Sequence, residues 1–274
     1  MTVERETGVR VKTAAVGAAL LLAALLFGGH FGSSVVTALL AGAMSWEMSK
    51  VFYRLPDFQE KTKALLGSAW LMVFANILFP KSGLECLIAA FAGMFAYFLV
   101  TAERHPQALK EHFEELIYTV FILVYVVLFM EFLPLIRRGP DGVFWLLMFL
   151  AVNWAGDSAA YFVGRRYGRR KLYPLVSPGK TIAGAVGGLA GSILAALLFK
   201  WLAFRELSHF GALFTGFAVG IFAQIGDLCE SLFKRAYGLK DSGRILPGHG
   251  GVLDRFDGIL FSLPVMYLCV RLFA

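Results

Sequence analysis

Five carboxylates stand at the ends of apolar runs in this 274-residue chain. Asp157 lies in "NWAGDSAAYFVG", Asp227 and Glu230 in "AQIGDLCES", and Asp254 and Asp257 in "GVLDRFDG". An acid inside a membrane-spanning helix costs roughly 2.5–3.5 kcal/mol on insertion scales and marks function by default. Residues three apart share a helix face, so Asp254 and Asp257 point the same way if a helix begins near Val252. With Asp227 arriving from the preceding run, three carboxylates make a hard-oxygen set suited to Mg²⁺, which keeps positions for phosphate and water. Capping of a helix N-terminus, where the dipole favours acids, would explain one of the pair but not Asp227.

Basic residues surround these acids. Lys234, Arg235, Lys240, Arg244 and Arg255 crowd one loop, and Lys180 enters from "SPGKT". Cations beside a bound divalent ion suit a polyphosphate, whose charge needs several partners. Ser177, Lys180 and Thr181 precede an apolar run, where free backbone N–H groups can also receive phosphate. The stretch superficially resembles a P-loop, but G-x-x-x-x-G-K-[ST] is absent. Attraction to anionic headgroups accounts for Arg166, Arg169, Arg170 and Lys171, but it does not require acids among the bases. In "PGHGG", Gly250 and Gly251 let backbone approach a ligand closely. His249 between the glycines is read as an orienting group, with turn stabilisation as the alternative. A phosphomonoester has a second pKa near 6 and needs no base at neutral pH.

The elements that must position these residues are membrane helices. The chain is 58% hydrophobic and 16% charged, where soluble domains hold about 45–50% and about 25%. A spanning helix needs roughly 20 apolar residues. About nine such segments can be read, at 11–29, 32–49, 64–80, 84–101, 114–134, 142–164, 182–204, 210–229 and 257–273. The expected fold is therefore all-α, a polytopic integral membrane protein with no separate soluble domain. Residues 1–110 are expected to supply plain N-terminal helices, and 111–274 a catalytic region with active-site loops. The flank of the first segment mixes Glu4, Arg5, Glu6, Arg10 and Lys12, and no A-x-A-like site follows, so it reads as a retained span. With the N-terminus in the cytoplasm, 20 of the 26 Lys and Arg fall on the inner side, as the positive-inside rule requires. The net charge of +7 then belongs to membrane topology and implies no nucleic-acid partner. Three cysteines fit neither a zinc pattern nor a disulfide framework.

At this point "SLFKRAYGLKDSGRILPGHGGVLDRFD", Ser231 to Asp257, resembles the signature of the phosphatidate cytidylyltransferases, or CDP-diacylglycerol synthases. Ser231, Lys234, Arg235, Lys240, Asp241, His249, Gly250, Gly251, Asp254, Arg255 and Asp257 fill its fixed positions. The resemblance extends upstream through "GDSAAYFVGRRYGRRKL", "SPGKT" and "GDLCES". It departs at "SPGKTIAG", where the family commonly reads S-P-K-K-T-x-E-G: Gly179 replaces a lysine and Ala183 the glutamate. The resemblance implies that CTP and phosphatidic acid give CDP-diacylglycerol and pyrophosphate, with the lipid phosphate attacking the CTP α-phosphorus. It implies Mg²⁺, and leaves open a second cation, divalent or K⁺. Asp227, Asp254 and Asp257 are the expected metal ligands. Lys234, Arg235, Lys240, Asp241, His249 and Arg255 join them as expected catalytic residues. Substrate binding is expected of Asp157, Ser177, Lys180, Thr181, Ser231, Gly250 and Gly251. A homodimer in the bacterial inner (plasma) membrane, with a cytoplasmic site, completes the expectation.

Other readings fit less well. A CTP-dependent polyprenol or phytol kinase acts on an alcohol, which needs a base. CDP-alcohol phosphotransferases carry D-G-x-x-A-R…G…D…D, which is not found here. A transporter would place its ionisable groups near mid-membrane, whereas these cluster at one face.

Overall fold

A backbone crossing lipid must satisfy its own N–H and C=O groups, and an α-helix does so within one segment. The computed structural model follows that requirement almost throughout. It describes residues 23–79, 83–243 and 250–274, together with Gly17 and Ile245. The helices are α1 (Gly29–Phe52), α2 (Phe58–Leu78), α3 (Gly83–Thr101), α4 (Leu109–Ile122), α5 (Phe129–Arg138), α6 (Gly142–Tyr167), α7 (Ile182–Leu202), α8 (His209–Ala236) and α9 (Leu253–Phe273).

Among the described residues, six helices are long and apolar enough to cross a membrane: Glu85–Arg104, Leu109–Arg138, Gly142–Tyr167, Ile182–Leu202, His209–Ala236 and Leu253–Phe273. They correspond to the fourth to ninth segments expected from the sequence. The second and third segments are also helical, as α1 and α2, but these are more polar. Helix α1 buries Ser33, Ser34, Thr37, Ser45 and Glu47, and α2 buries Lys61, Thr62 and Asn76. Most of the first expected segment lies outside the described residues. Large apolar side chains such as Leu99, Val186, Leu194, Trp201 and Leu268 face outward. Exposed apolar side chains in such number are uncommon on a soluble protein; here they suit contact with lipid. The protein is an integral membrane protein.

Helices α4 and α5 join without a break through a π-helical turn, Leu123–Leu128. Pro134 interrupts the hydrogen bonding of α5 further along. It has no N–H, so the carbonyl four residues earlier, at Met130, loses its helical partner. Thr37 of α1 replaces it, donating its hydroxyl to that carbonyl at 3.4 Å.

One departure from helix was not expected. The basic stretch after α6 forms a two-stranded antiparallel hairpin, β1 (Lys171–Tyr173) and β2 (Ser177–Thr181). Its register pairs Lys171 with Thr181 and Tyr173 with Ser177, with an irregularity between them. Thr181 then N-caps α7, its Oγ1 accepting the N–H of Gly184 at 3.1 Å.

The chain divides into two compact units. The first comprises residues 1–134 and 241–254, and the second 135–240 and 255–274. In the first, Met44, Met48, Leu65, Ile122, Val126 and Met130 are fully buried. In the second, Trp145, Met148, Leu260, Leu263 and Met266 form the core, with Trp145 edge-on to Phe204 at 5.1 Å.

Candidate active site

The second unit gathers three of the expected acids. Asp157 lies in the C-terminal half of α6, Asp227 in the C-terminal half of α8, and Asp257 in the first turns of α9. Glycines allow the helices carrying them to close on one another. A Cβ on Gly226 would stand 2.6 Å from the carbonyl oxygen of Asp257, and one on Gly258 would stand 3.1 Å from that of Ala223. Helices α8 and α9 therefore meet backbone to backbone beside Asp227 and Asp257. Likewise a Cβ on Gly188 would meet Ala160 at 3.0 Å, which brings α6 and α7 together near Asp157. The charges of Asp157, Asp227 and Asp257 lie close enough to repel one another.

Lys180, from β2, answers part of that repulsion. Its Nζ stands 2.5 Å from Asp227 Oδ2, and its charge also attracts Asp157. Ser231, one turn further along α8, donates to Asp227 Oδ1 at 3.4 Å. Lys234 adds a second cation, 2.5 Å from the buried Glu230 and attracting Asp257 as well. Arg235 donates from Nε to the carbonyl of Val176 at 3.3 Å, tying α8 to the hairpin. The sequence marked Glu230 as an acid in an apolar run, without giving it a role. Its pairing with Lys234 at i, i+4 holds that ammonium in place.

The remaining expected residues of this unit are arranged around that centre. Ser177 is half-buried in β2 and Thr181 is buried as the cap of α7, while Lys240 and Arg255 are exposed. At Gly179 a Cβ would meet nothing within 4 Å, so the lysine common in the family would be accommodated there.

The first unit holds the rest of the Ser231–Asp257 stretch that is described. Asp241 is exposed. Asp254 accepts the N–H of Ser242 at 3.0 Å and of Gly251 at 2.9 Å, so its carboxylate organises the turn entering α9. Gly250 has φ +83°, a left-handed conformation open to glycine. Gly251 has a packing reason: a Cβ there would meet Glu47 Oε2 at 2.8 Å. Glu47 itself was not foreseen. It accepts the N–H of Val252 at Oε1 and of Leu253 at Oε2, both at 3.0 Å, and the Ser242 hydroxyl at 3.3 Å. The sequence signal was a glutamate near the end of a weak span, which shows nothing of a partner some 200 residues away. His249 and Arg244 lie outside the described residues.

The charges of Asp157, Asp227 and Asp257 act on one another, although their oxygens are not drawn together into a three-ligand group. Carboxylates are the donors Mg²⁺ takes, one or two at a time with water and phosphate filling the rest. With Lys180 and Lys234 beside them, the arrangement can hold a phosphorylated ligand by charge. Residues 8–273 match the family model described as the Cytidylyltransferase family. The chain belongs to that family. It is similar to a phosphatidate cytidylyltransferase of Bacillus subtilis, with 39% identity over 163 residues, covering 59% of this chain and 61% of that protein. It is also 46% identical to one of Staphylococcus haemolyticus over 126 residues, 46% of this chain and 48% of the relative. A third match, to a phosphatidate cytidylyltransferase of Staphylococcus aureus, is 43% identical over 126 residues, again 46% and 48% of the two chains. The chain is thus matched over less than two thirds of the length of these relatives.

Proposed function

We propose that this membrane protein is a phosphatidate cytidylyltransferase that converts CTP and phosphatidic acid to CDP-diacylglycerol and pyrophosphate. The observation that carries the reading is the cluster of Asp157, Asp227 and Asp257 with Lys180 and Lys234, set beside the filled Ser231–Asp257 pattern in a member of this family.

In the reaction, an oxygen of the lipid phosphate forms a bond to the α-phosphorus of CTP. The bond from that phosphorus to the bridging oxygen breaks, and pyrophosphate leaves with the electron pair. A phosphomonoester is largely dianionic at neutral pH, so no side chain needs to remove a proton. Asp227 and Asp257 would hold Mg²⁺, which supplies charge neutralisation at the phosphates. Lys180 and Lys234 neutralise further phosphate charge, and Glu230 and Asp227 fix their positions. Asp254 holds the Gly251 backbone at the start of α9. The protein's contribution is positioning and electrostatic stabilisation, as in phosphoryl transfer generally. The charge bias along the sequence supports a cytoplasmic N-terminus and site, where CTP is supplied. The family resemblance supports a homodimer in the bacterial inner membrane.

The test is incubation of purified protein with labelled CTP, Mg²⁺ and phosphatidic acid. A CDP-lipid and pyrophosphate are expected. Well-folded protein that makes neither would sink the assignment, and transfer to a polyprenol with release of CDP would replace it by the kinase reading.

A further inference from the structure

The first unit contains a second cluster of ligating side chains, built from none of the residues assigned above. Asp57 precedes α2, His105 follows the 3₁₀ turn Ala102–Arg104, and His112 lies in the first turn of α4. One donor atom from each lies within 4.8 Å of the other two. His105 Nε2 stands 3.0 Å from Asp57 Oδ2, and the two imidazole rings are 5.3 Å apart.

His112 carries the argument. It is 3% exposed, and its Nε2 lies 2.8 Å from the carbonyl oxygen of Phe98. A carbonyl can only accept, so Nε2 bears the proton and Nδ1 of the neutral ring bears a free lone pair. That Nδ1 is buried and has no hydrogen-bond partner. A metal-binding histidine is held in this way, its second nitrogen donating to a carbonyl or carboxylate while the first faces the ion.

The charges point the same way. Lys61, fully buried, lies 2.8 Å from Asp57 Oδ1 and 2.5 Å from Glu115 Oε2. Glu115 Oε1 is occupied by the N–H groups of Arg54 and Leu55 at 2.6 and 2.9 Å. One lysine thus faces two carboxylates at a largely enclosed place, where a further cation would balance the second charge. Lys61 takes one oxygen of Asp57 and leaves Oδ2 on the histidine side. Two imidazole nitrogens and one carboxylate oxygen suit Zn²⁺ and its neighbours rather than Mg²⁺ or Ca²⁺, which favour oxygen alone.

We propose that Asp57, His105 and His112 form a binding site for a divalent transition-metal ion, Zn²⁺ by the chemistry of its donors, that fastens the turn after α3 to the start of α2. Full-length protein in detergent, stripped by a chelator, is titrated with Zn²⁺ and separately with Co²⁺. The wild type is expected to retain one ion per chain more than His112→Ala, and its Co²⁺ form to show the visible absorption of low-coordinate nitrogen ligation. His105→Gln, which still offers Asp57 a hydrogen bond, should bind Zn²⁺ at least roughly 10-fold more weakly, since even outer-shell changes cost that much. Zn²⁺ should raise the Tm of the wild type and not that of His105→Gln. Asp227→Asn should keep the Zn²⁺-induced rise in Tm and the Co²⁺ visible absorption of the wild type, which separates this site from the phosphate-binding carboxylates. Equal Zn²⁺ retention by the wild type and His105→Gln would overturn the proposal and leave a protonated His105 as the partner of Asp57. Should His112→Ala fail to fold, the comparison with His105→Gln still decides the matter.

Discussion

Glu47, near the end of α1, holds the backbone N–H of Val252, 205 residues further along the chain, at 3.0 Å. Its other oxygen takes the next N–H, that of Leu253, at the same distance. Leu253 opens α9 and Val252 directly precedes it, and N–H groups at a helix start have no partner within the helix. Glu47 is 1% exposed, so its loss would leave buried donors unsatisfied at about 1–3 kcal/mol each. Glu47→Ala should therefore lower stability by roughly 2–4 kcal/mol, read as a fall in Tm in detergent. Glu47→Gln keeps one acceptor but presents an NH₂ to the second N–H, and should fall between the two. A Glu47→Ala protein as stable as the wild type would show that water replaces the carboxylate.

Asp227 and Asp257 test the cation reading. Asp257 sits among like charges, so neutralising it removes repulsion, whereas Asp227→Asn also gives up the ion pair with Lys180. Asp257→Asn should keep the Tm of the wild type or exceed it, and Asp227→Asn should lose no more than about 1 kcal/mol, the worth of a partly exposed pair. Each should lose at least roughly 100-fold in CDP-lipid formation, the scale seen when one electrostatic contact to a reacting group is removed. Raising Mg²⁺ should recover part of the Asp227→Asn activity if the lost group bound the ion. Normal turnover in both variants would end the cation reading.

Glycine spacing offers a matched pair. At Gly226 a Cβ would meet the Asp257 carbonyl oxygen at 2.6 Å and Phe261 Cβ at 2.8 Å, while at Gly179 it would meet nothing within 4 Å. Gly226→Ala should cost about 1–3 kcal/mol through overpacking and reduce activity by separating Asp227 from Asp257. Gly179→Ala should stay within about 0.5 kcal/mol of the wild type, as surface changes do. Gly179→Lys should fold equally well and lower the KM for CTP a few-fold, since an exposed charge contributes about 0.2–1 kcal/mol. Thermal unfolding and steady-state kinetics on the three variants check each statement.

What the sequence disclosed and what it hid have physical reasons. Hydrophobic runs of 20 residues are legible because a bilayer demands them, so the helices from α3 onward follow the expected segments. Asp157, Asp227 and Asp257 were legible because acids there are expensive. Asp254 and Asp257 were assigned to one helix from their spacing, and α9 does begin at Leu253. Glu47, Lys61 and Glu115 were not legible. Their worth lies in partners tens to hundreds of residues away, and a single charged residue near a helix end has many ordinary explanations. The hairpin β1–β2 also escaped, because "RKLYPLVSPGK" has too few alternating apolar residues to signal a strand pair.

Tyr53 supplies a prediction in alkali. Its hydroxyl lies 2.6 Å from Thr119 Oγ1. Thr119 gives its own proton to the Glu115 carbonyl at 2.8 Å, so Tyr53 is the donor between them. Burial first, and the nearby Glu115 charge after it, disfavour the phenolate, and outweigh the opposing Thr119 hydrogen bond; the pKa is held well above the ordinary value for tyrosine. A folded-state pKa above the unfolded one gives stability that is whole below the unfolded value and is lost as pH rises. The unfolded tyrosine ionises near pH 10, and beyond that each pH unit should remove about 1.36 kcal/mol. Tyr53→Phe lacks that ionisation. At neutral pH it should be less stable than the wild type by about 1 kcal/mol, the worth of the lost hydrogen bond. From pH 10 to 11 the gap should close, read by thermal unfolding of both proteins in the same detergent. A gap that stayed constant would mean that Tyr53 ionises as readily in the folded protein as in the unfolded chain.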